Sequence, residues 1–265
     1  MKVGVILAAA GQSSRFGGVD KLAQDLGGRS VLIRSVEAFA RRAEVETVIV
    51  AVPPSRLDIL TERIGPTLGF HGARLVAGGR QARWESVRNA IEHVPAECTH
   101  IAVHDAARPL VSDDLLSRVF EAGSTLAAVV PGVAVSSTLR RVAEDDAVDA
   151  AKQDDPIADA ILGSSGKQDV IAWRSTETVS RDHLRAIQTP QLFEADLLRR
   201  AYTQGSPEGV TDDAQLVEHL GEDVHVIEGD PRNLKITTEA DLEIVRALFG
   251  TPGPNDQPTS RSSAL

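Results

Sequence analysis

The chain has 265 residues, 42% of them hydrophobic, and 38 acidic against 28 basic side chains give a formal net charge of −10. The composition is that of a globular protein long enough for one large α/β domain or two small ones, and its negative balance argues against a general nucleic-acid binder, which would show a basic face. A single cysteine, Cys98, excludes an intrachain disulfide and a cysteine-based zinc site, and no apolar run reaches the roughly 18–20 residues of a membrane helix, so a cytoplasmic protein without membrane partners is expected.

Lys2–Leu7 is a short continuous apolar segment and reads as a buried strand, although Met1-Lys2 followed by Val3–Ala10 superficially resembles a short signal peptide. Ala8–Lys21 is a loop rich in small residues. Leu32, Val36 and Phe39 share a face and predict a helix over Val31–Arg42. Val45–Val52 is β-branched and stops at Pro53-Pro54, the mark of a strand. After a helical stretch come a short strand at Arg74–Val76, a turn at Gly78-Gly79 and a helix at Arg83–His93, where Trp84, Val87, Ile91 and Val94 recur at helical spacing. His100–His104 is the next strand, Leu115–Ala122 a helix, and Ala127–Val130 a strand ending at Pro131-Gly132. Val142–Thr176 is rich in Asp, Ala, Gly and Ser, lacks periodicity, and predicts a projecting insertion or flexible loop. Val224–Glu228 is a late strand. Thr238, with Asp241 three residues on, then caps a helix whose apolar face is Leu242, Val245 and Leu248 or Phe249. Thr251–Leu265 reads as a disordered tail.

Alternation of strands and helices over the first half predicts a mainly parallel sheet covered by helices, with ligands beyond the carboxyl ends of its strands. Three loops at such ends carry chemistry-bearing residues: Ala8–Lys21, Ala77–Arg83 and Asp105–Pro109. In the first, small residues let backbone N–H groups approach phosphate oxygens, and Arg15 and Lys21 add charge. It is neither a dinucleotide fingerprint nor a P-loop, and by itself is equally a tight turn with surface cations. In the second, the glycine pair and Ser86 can meet a base edge or simply turn the chain into a helix. In the third, Asp105 can hold a ribose hydroxyl or Mg²⁺ and Arg108 can clamp a phosphate, or the two can pair to close a turn. His104 reads as a packed strand residue. The overall negative charge leaves an anionic substrate open, because a few clustered cations dominate within a Debye length of roughly 8–10 Å.

Taken in order, L-A-A-A-G with Arg15 and Lys21, G-G with R-x-x-S-V, H-D-A-A-R-P, Q-T-P-Q-x-F, T-D-D-A and N-L-K-I-T resemble one family, the 2-C-methyl-D-erythritol 4-phosphate cytidylyltransferases of non-mevalonate isoprenoid synthesis. The resemblance runs from Val3 to about Leu248, outside Val142–Thr176. It implies a Rossmann-like nucleotidyltransferase α/β fold in a single domain over residues 1–250, with a β-arm at about 134–188 and a tail over 251–265. It also implies transfer of CMP from CTP to methylerythritol phosphate, with Mg²⁺ carried mainly on the CTP phosphates. Ala9, Ala10 and Gly11 then match the backbone lining the cytidine pocket, Gly79 and Ser86 the residues reading cytosine, and Asp105 the acid near ribose and substrate. Arg15, Lys21 and Lys235 match the catalytic cations. Arg108, Thr138, Arg181 and Thr189 match residues holding the acceptor, the last three reaching it from the partner subunit of a homodimer.

The chain departs from the family pattern in four places. Ser13 stands where a second glycine is usual, and Asp20 where proline often precedes the lysine. An extra residue before Arg83 leaves neither Arg80 nor Gln81 matching the usual acidic residue, and Ser136-Ser137-Thr138 replaces Asp-Thr. Three other readings compete: a ribitol 5-phosphate cytidylyltransferase, a non-catalytic nucleotide-binding protein and a nicotinamide-dependent dehydrogenase. Ala9 and the Asn233–Thr237 segment favour methylerythritol phosphate over ribitol phosphate. Joint retention of Arg15, Lys21, Asp105 and Lys235 favours catalysis, and the missing dinucleotide fingerprint disfavours the dehydrogenase.

Overall fold

The computed structural model describes residues 1–11, 16, 20–80, 82–143, 148–149, 171–204 and 210–251. The strands, in chain order, are β1 (Val3–Ala8), β2 (Val45–Val52), β3 (Ala73–Ala77), β4 (His100–Asp105), β5 (Ala128–Ala134), β6 (Leu139–Val142), β7 (Val148–Asp149), β8 (Ile171–Ala172), β9 (Ser175–Val179), β10 (Arg185–Ile187), β11 (Gln191–Glu194) and β12 (His225–Glu228). The helices are α1 (Val31–Ala40), α2 (Leu57–Phe70), α3 (Arg83–Ile91), α4 (Asp113–Gly123), α5 (Ala195–Ala201), α6 (Asp213–Glu218) and α7 (Glu239–Leu248). None of them is long and apolar enough to cross a membrane. The chain divides into two compact units, Met1–Val133 with Ile187–Leu265, and Ala134–Ala186.

In the first unit the sheet order is β5-β11-β4-β1-β2-β3, with β12 on β5. β1 pairs in parallel with β2 and β4, β2 with β3, and β5 with β12. Alternation along β1 explains how one strand serves two cores. Val3, Val5 and Leu7 point into the layer made with Val36 and Phe39 of α1 and with Leu115 and Phe120 of α4. Ile6 points the other way, to Val87 of α3 and Leu198 of α5. Both faces are covered, so the strand reads as an unbroken apolar run, as strands of parallel sheets do. Because β1, β2, β3 and β4 run parallel, their carboxyl ends lie at one edge of the sheet.

Two features were not expected. β5 continues through Pro131-Gly132 to Ala134, whereas the proline predicts an end at Val130. Proline forfeits only a donor here: its carbonyl accepts from Gln188 N at 2.7 Å, and Gly132 O accepts from Gly229 N at 3.0 Å. β11 lies antiparallel between β4 and β5, with Gln191 opposite Val103 and Leu192 opposite Val129. At the far end of the unit, Thr238 caps α7 as predicted, in a capping box with Asp241.

The second unit holds two antiparallel pairs, β6 with β9 and β7 with β8. The predicted insertion at Val142–Thr176 begins inside this unit; its residues 144–147 and 150–170, like residues 252–265 of the predicted tail, lie outside the described residues.

Candidate active site

The carboxyl end of β4 places Asp105 at the mouth of the sheet, where the next residues turn away: Ala106 N bonds back to Ala8 O at 3.2 Å and Arg108 N to Asp105 O at 2.9 Å. Three cations converge on this one carboxylate. Arg83 Nε donates to Oδ1 at 3.2 Å, while Lys235 Nζ and Arg108 Nε donate to Oδ2 at 2.9 and 3.4 Å. Burial alone would raise the Asp105 pKa, but Arg83, Lys235 and Arg108 outweigh it and hold the group well below the usual carboxylate range. Asp105 is thus a permanent anion that gathers cations. A direct Mg²⁺ ligand role would require the divalent cation to displace or crowd those three cationic partners. No group of three or more His, Cys, Asp or Glu among the described residues could hold a metal ion.

Lys21 reaches the same place from the first loop. Its Nζ donates to Ile236 O at 2.9 Å, one residue beyond Lys235. Ile236 N in turn bonds to Ala107 O at 2.9 Å, and Arg108 Nη1 to Asn233 O at 2.8 Å, so the N-L-K-I-T segment is stitched to the H-D-A-A-R-P turn. The first loop, the β4 turn and the α7 approach therefore form one constellation from segments far apart in sequence. Arg15 lies outside the described residues.

A cavity of about 990 Å³ opens beside this cluster's first loop, lined by Ala9, Ala10, Gly11 and Gly79 together with Pro53, Arg56 and Leu60 from the β2–α2 connection and α2. The glycines at its edge are required by close packing. A Cβ on Gly78 would stand 2.9 Å from Ala10 Cβ, and one on Gly79 only 2.3 Å from Glu85 Cβ. Ser86 is buried beneath the turn, where its Oγ accepts from Gly79 N at 2.9 Å. It therefore shapes the turn that borders the cavity.

Thr189, which the resemblance brings in from a second subunit, lies beside Asp105 of its own chain. It is buried, its Oγ1 accepts from Asp105 N at 3.0 Å and lies 3.0 Å from His104 Nδ1. His104 Nε2 faces Arg108 O at 3.1 Å, and a carbonyl can only accept, so Nε2 carries the proton and Nδ1 accepts from the threonine hydroxyl. His104 is packed edge-on against Phe39, as its strand position suggested. Thr138 and Arg181 belong to the second unit; both are exposed, and Arg181 donates to the Ser136 carbonyl.

Sequence reasoning gave no role to Arg83 or Asp213, yet Arg83 Nη1 donates to the buried Asp213 Oδ2 at 2.7 Å while its Nε holds Asp105. The signals were present in R-x-x-S-V and T-D-D-A, but nothing in either motif tells that the two face one another.

The profile of the 2-C-methyl-D-erythritol 4-phosphate cytidylyltransferase family, IspD, matches residues 3–161 and 150–251. The enzyme of that name from Bacteroides fragilis is 33% identical over 245 residues, 92% of this chain and 98% of that one. The Frankia casuarinae enzyme of the same name is 35% identical over 263 residues, 98% of this chain and 85% of its own. A bifunctional IspD/IspF enzyme of Solidesulfovibrio magneticus is 34% identical over 96% of this chain, which spans 59% of that protein's length. The crystal structure of the 2-C-methyl-D-erythritol 4-phosphate cytidylyltransferase from Thermus thermophilus superposes with a TM-score of 0.67 at 32% identity, covering 94% of this chain and 98% of that one. Motifs, sheet topology and these likenesses agree: the chain belongs to the 2-C-methyl-D-erythritol 4-phosphate cytidylyltransferase family and is a nucleotidyltransferase.

Proposed function

We propose that this chain moves CMP from CTP to methylerythritol phosphate by positioning and charge stabilisation at the cluster of Lys21, Lys235 and Arg108 around Asp105, with Arg15 taking the catalytic-cation role that the resemblance gives it. A phosphate oxygen of the acceptor forms a bond to the α-phosphorus of CTP, the bond from that phosphorus to the bridging oxygen of the β-phosphate breaks, and pyrophosphate leaves with the electron pair. The nucleophile is already an anion, so no general base is needed. The difficulty is bringing two anions together, and fixed cations in a partly dry site offset it. The observation that carries this reading is the meeting of Lys21 and Lys235, each held at 2.9 Å, by Ile236 O and Asp105 Oδ2.

The cytidine lies in the cavity lined by Ala9, Ala10, Gly11 and Gly79, with Ser86 setting the orientation of the Gly79 amide. Mg²⁺, bound mainly through the CTP phosphates, would screen their charge, while Lys21, Lys235 and Arg108 supply the fixed cations. Thr138 and Arg181 hold the acceptor from the second subunit of a homodimer. In support, the second unit exposes Val142, Ile171, Trp173 and Leu184, apolar side chains that a partner would cover. Thr189 serves from its own chain by fixing Asp105.

Pyrophosphate release is the test, with CTP or UTP, Mg²⁺, and methylerythritol phosphate or ribitol 5-phosphate as acceptor. Turnover with CTP and methylerythritol phosphate is expected. Turnover only with ribitol 5-phosphate would overturn the acceptor, and none with any pair would overturn catalysis.

A further inference from the structure

Behind Asp105 stands a second buried carboxylate that the reaction above does not use. Asp213 is 1% exposed, and the Arg83 guanidinium lies between the two acids, Nε on Asp105 Oδ1 at 3.2 Å and Nη1 on Asp213 Oδ2 at 2.7 Å. The other oxygen of Asp213 accepts from the Tyr202 hydroxyl at 2.5 Å. Asp213 opens α6, and α6 is bolted to β11. Asp212 caps it, accepting from Gln215 N at 3.1 Å and from Gln191 Nε2 at 3.0 Å, and Gln191 Oε1 accepts from Ala214 N at 3.2 Å. The anchor is thus rigid, and β11 pairs directly with β4, the strand that ends in Asp105.

Such a charged trio, with both acids buried and Arg83 only partly so, is poorly explained by stability, since well-packed apolar side chains of similar volume are often as good or better. Its geometric consequence is specific. With Oδ1 occupied by Arg83, the carboxylate plane of Asp105 is fixed and Oδ2 is turned to Lys235 at 2.9 Å. Without the clamp Oδ1 loses its partner and only the longer Arg108 contact at 3.4 Å on Oδ2 opposes rotation of the plane, so the Lys235 ammonium can shift with it.

We propose that Arg83 and Asp213 are positioning residues for CMP transfer: Asp213 anchors Arg83, and Arg83 sets the rotation of Asp105 that aims the Lys235 ammonium. The inference rests on the role of Lys235 given above. Misplacing a charge by about 1 Å can cost on the order of 100-fold in rate, which sets the scale of the effect.

The test compares wild type, Arg83→Lys, Arg83→Met and the double variant Arg83→Met/Asp213→Asn by melting temperature and by kcat and KM for CTP. Arg83→Lys keeps the charge but not the two-ended reach, and should fold with kcat down by about 30- to 100-fold and KM for CTP within about threefold. Arg83→Met leaves Asp213 buried without its cation and should melt lower, and the double variant should recover the melting temperature but not kcat. Near-wild-type kcat in Arg83→Lys, or kcat returning together with stability in the double variant, would show the trio to be only structural. An inactive wild type would instead sink the functional reading beneath it.

Discussion

Lys21 Nζ donates to the Ile236 carbonyl at 2.9 Å, joining residues 215 positions apart and setting the first loop's cation beside Lys235. The carbonyl directs the Lys21 ammonium toward Lys235. Lys21→Ala should therefore lower kcat about 10²–10³-fold, the cost of about 2.7–4 kcal/mol that follows loss of one oxyanion-hole donor, while circular dichroism stays that of wild type. Turnover near the wild-type rate would remove Lys21 from the transition state.

Gly79 tests the cavity from its other side. A methyl group there would sit 2.3 Å from Glu85 Cβ and 3.0 Å from Ala82 O, so the turn must move and the Gly79 amide leaves Ser86 Oγ. Gly79→Ala should raise KM for CTP about 10-fold or more with a smaller change in kcat, the split expected when ground-state binding is lost. An unchanged KM would place the nucleotide elsewhere.

Asp20 stands where the family often has proline, and the structure shows what replaces it. Its carboxylate accepts from Leu22 N at 3.0 Å, capping the turn that carries Lys21, and pairs with Arg56 at 2.7 Å. The pair is partly exposed, so it is worth only about 0.2–1 kcal/mol and weakens in salt. Asp20→Ala should lower kcat/KM about threefold to 10-fold. Asp20→Pro should keep most activity, because the φ of −73° at this position suits proline. If the alanine variant matches wild type at low salt, the cap and ion pair do not position Lys21.

Most of the parallel sheet was legible because its strands are short, mainly apolar segments, two of which, β2 and β3, run into Pro53 and Gly78. What was not legible depended on distant partners. β11 is a four-residue segment with no alternation, made a strand only by lying between β4 and β5. β5 survives Pro131 because Gln188, far along the chain, supplies the donor its carbonyl needs. The motifs singled out Asp105, Lys21 and Lys235, which the structure brings together, and left Arg83 and Asp213 silent, since a charge pair 130 positions apart leaves no local signature. Its motif singled out Thr189, but only the structure reveals its hydrogen bond to Asp105 N of the same chain.

The same threonine leads to a pH prediction. Burial drives the His104 imidazole down to about 4 from its ordinary 6.5, and the chain of hydrogen bonds from Asp105 N through Thr189 Oγ1 to Nδ1 requires that nitrogen to be an acceptor. The unfolded chain takes up this proton first as pH falls. His104 therefore contributes no pH dependence above about pH 7, and it costs stability progressively between about pH 6.5 and 4, levelling at about 3 kcal/mol. Urea unfolding of wild type should lose that stability across the window. His104→Gln keeps a donor for Arg108 O but cannot be protonated, so it should be less stable than wild type at pH 7 and show a shallower decline toward pH 4. Equal slopes in the two proteins would assign the acid sensitivity to other groups and would free Thr189 from a neutral histidine as its partner.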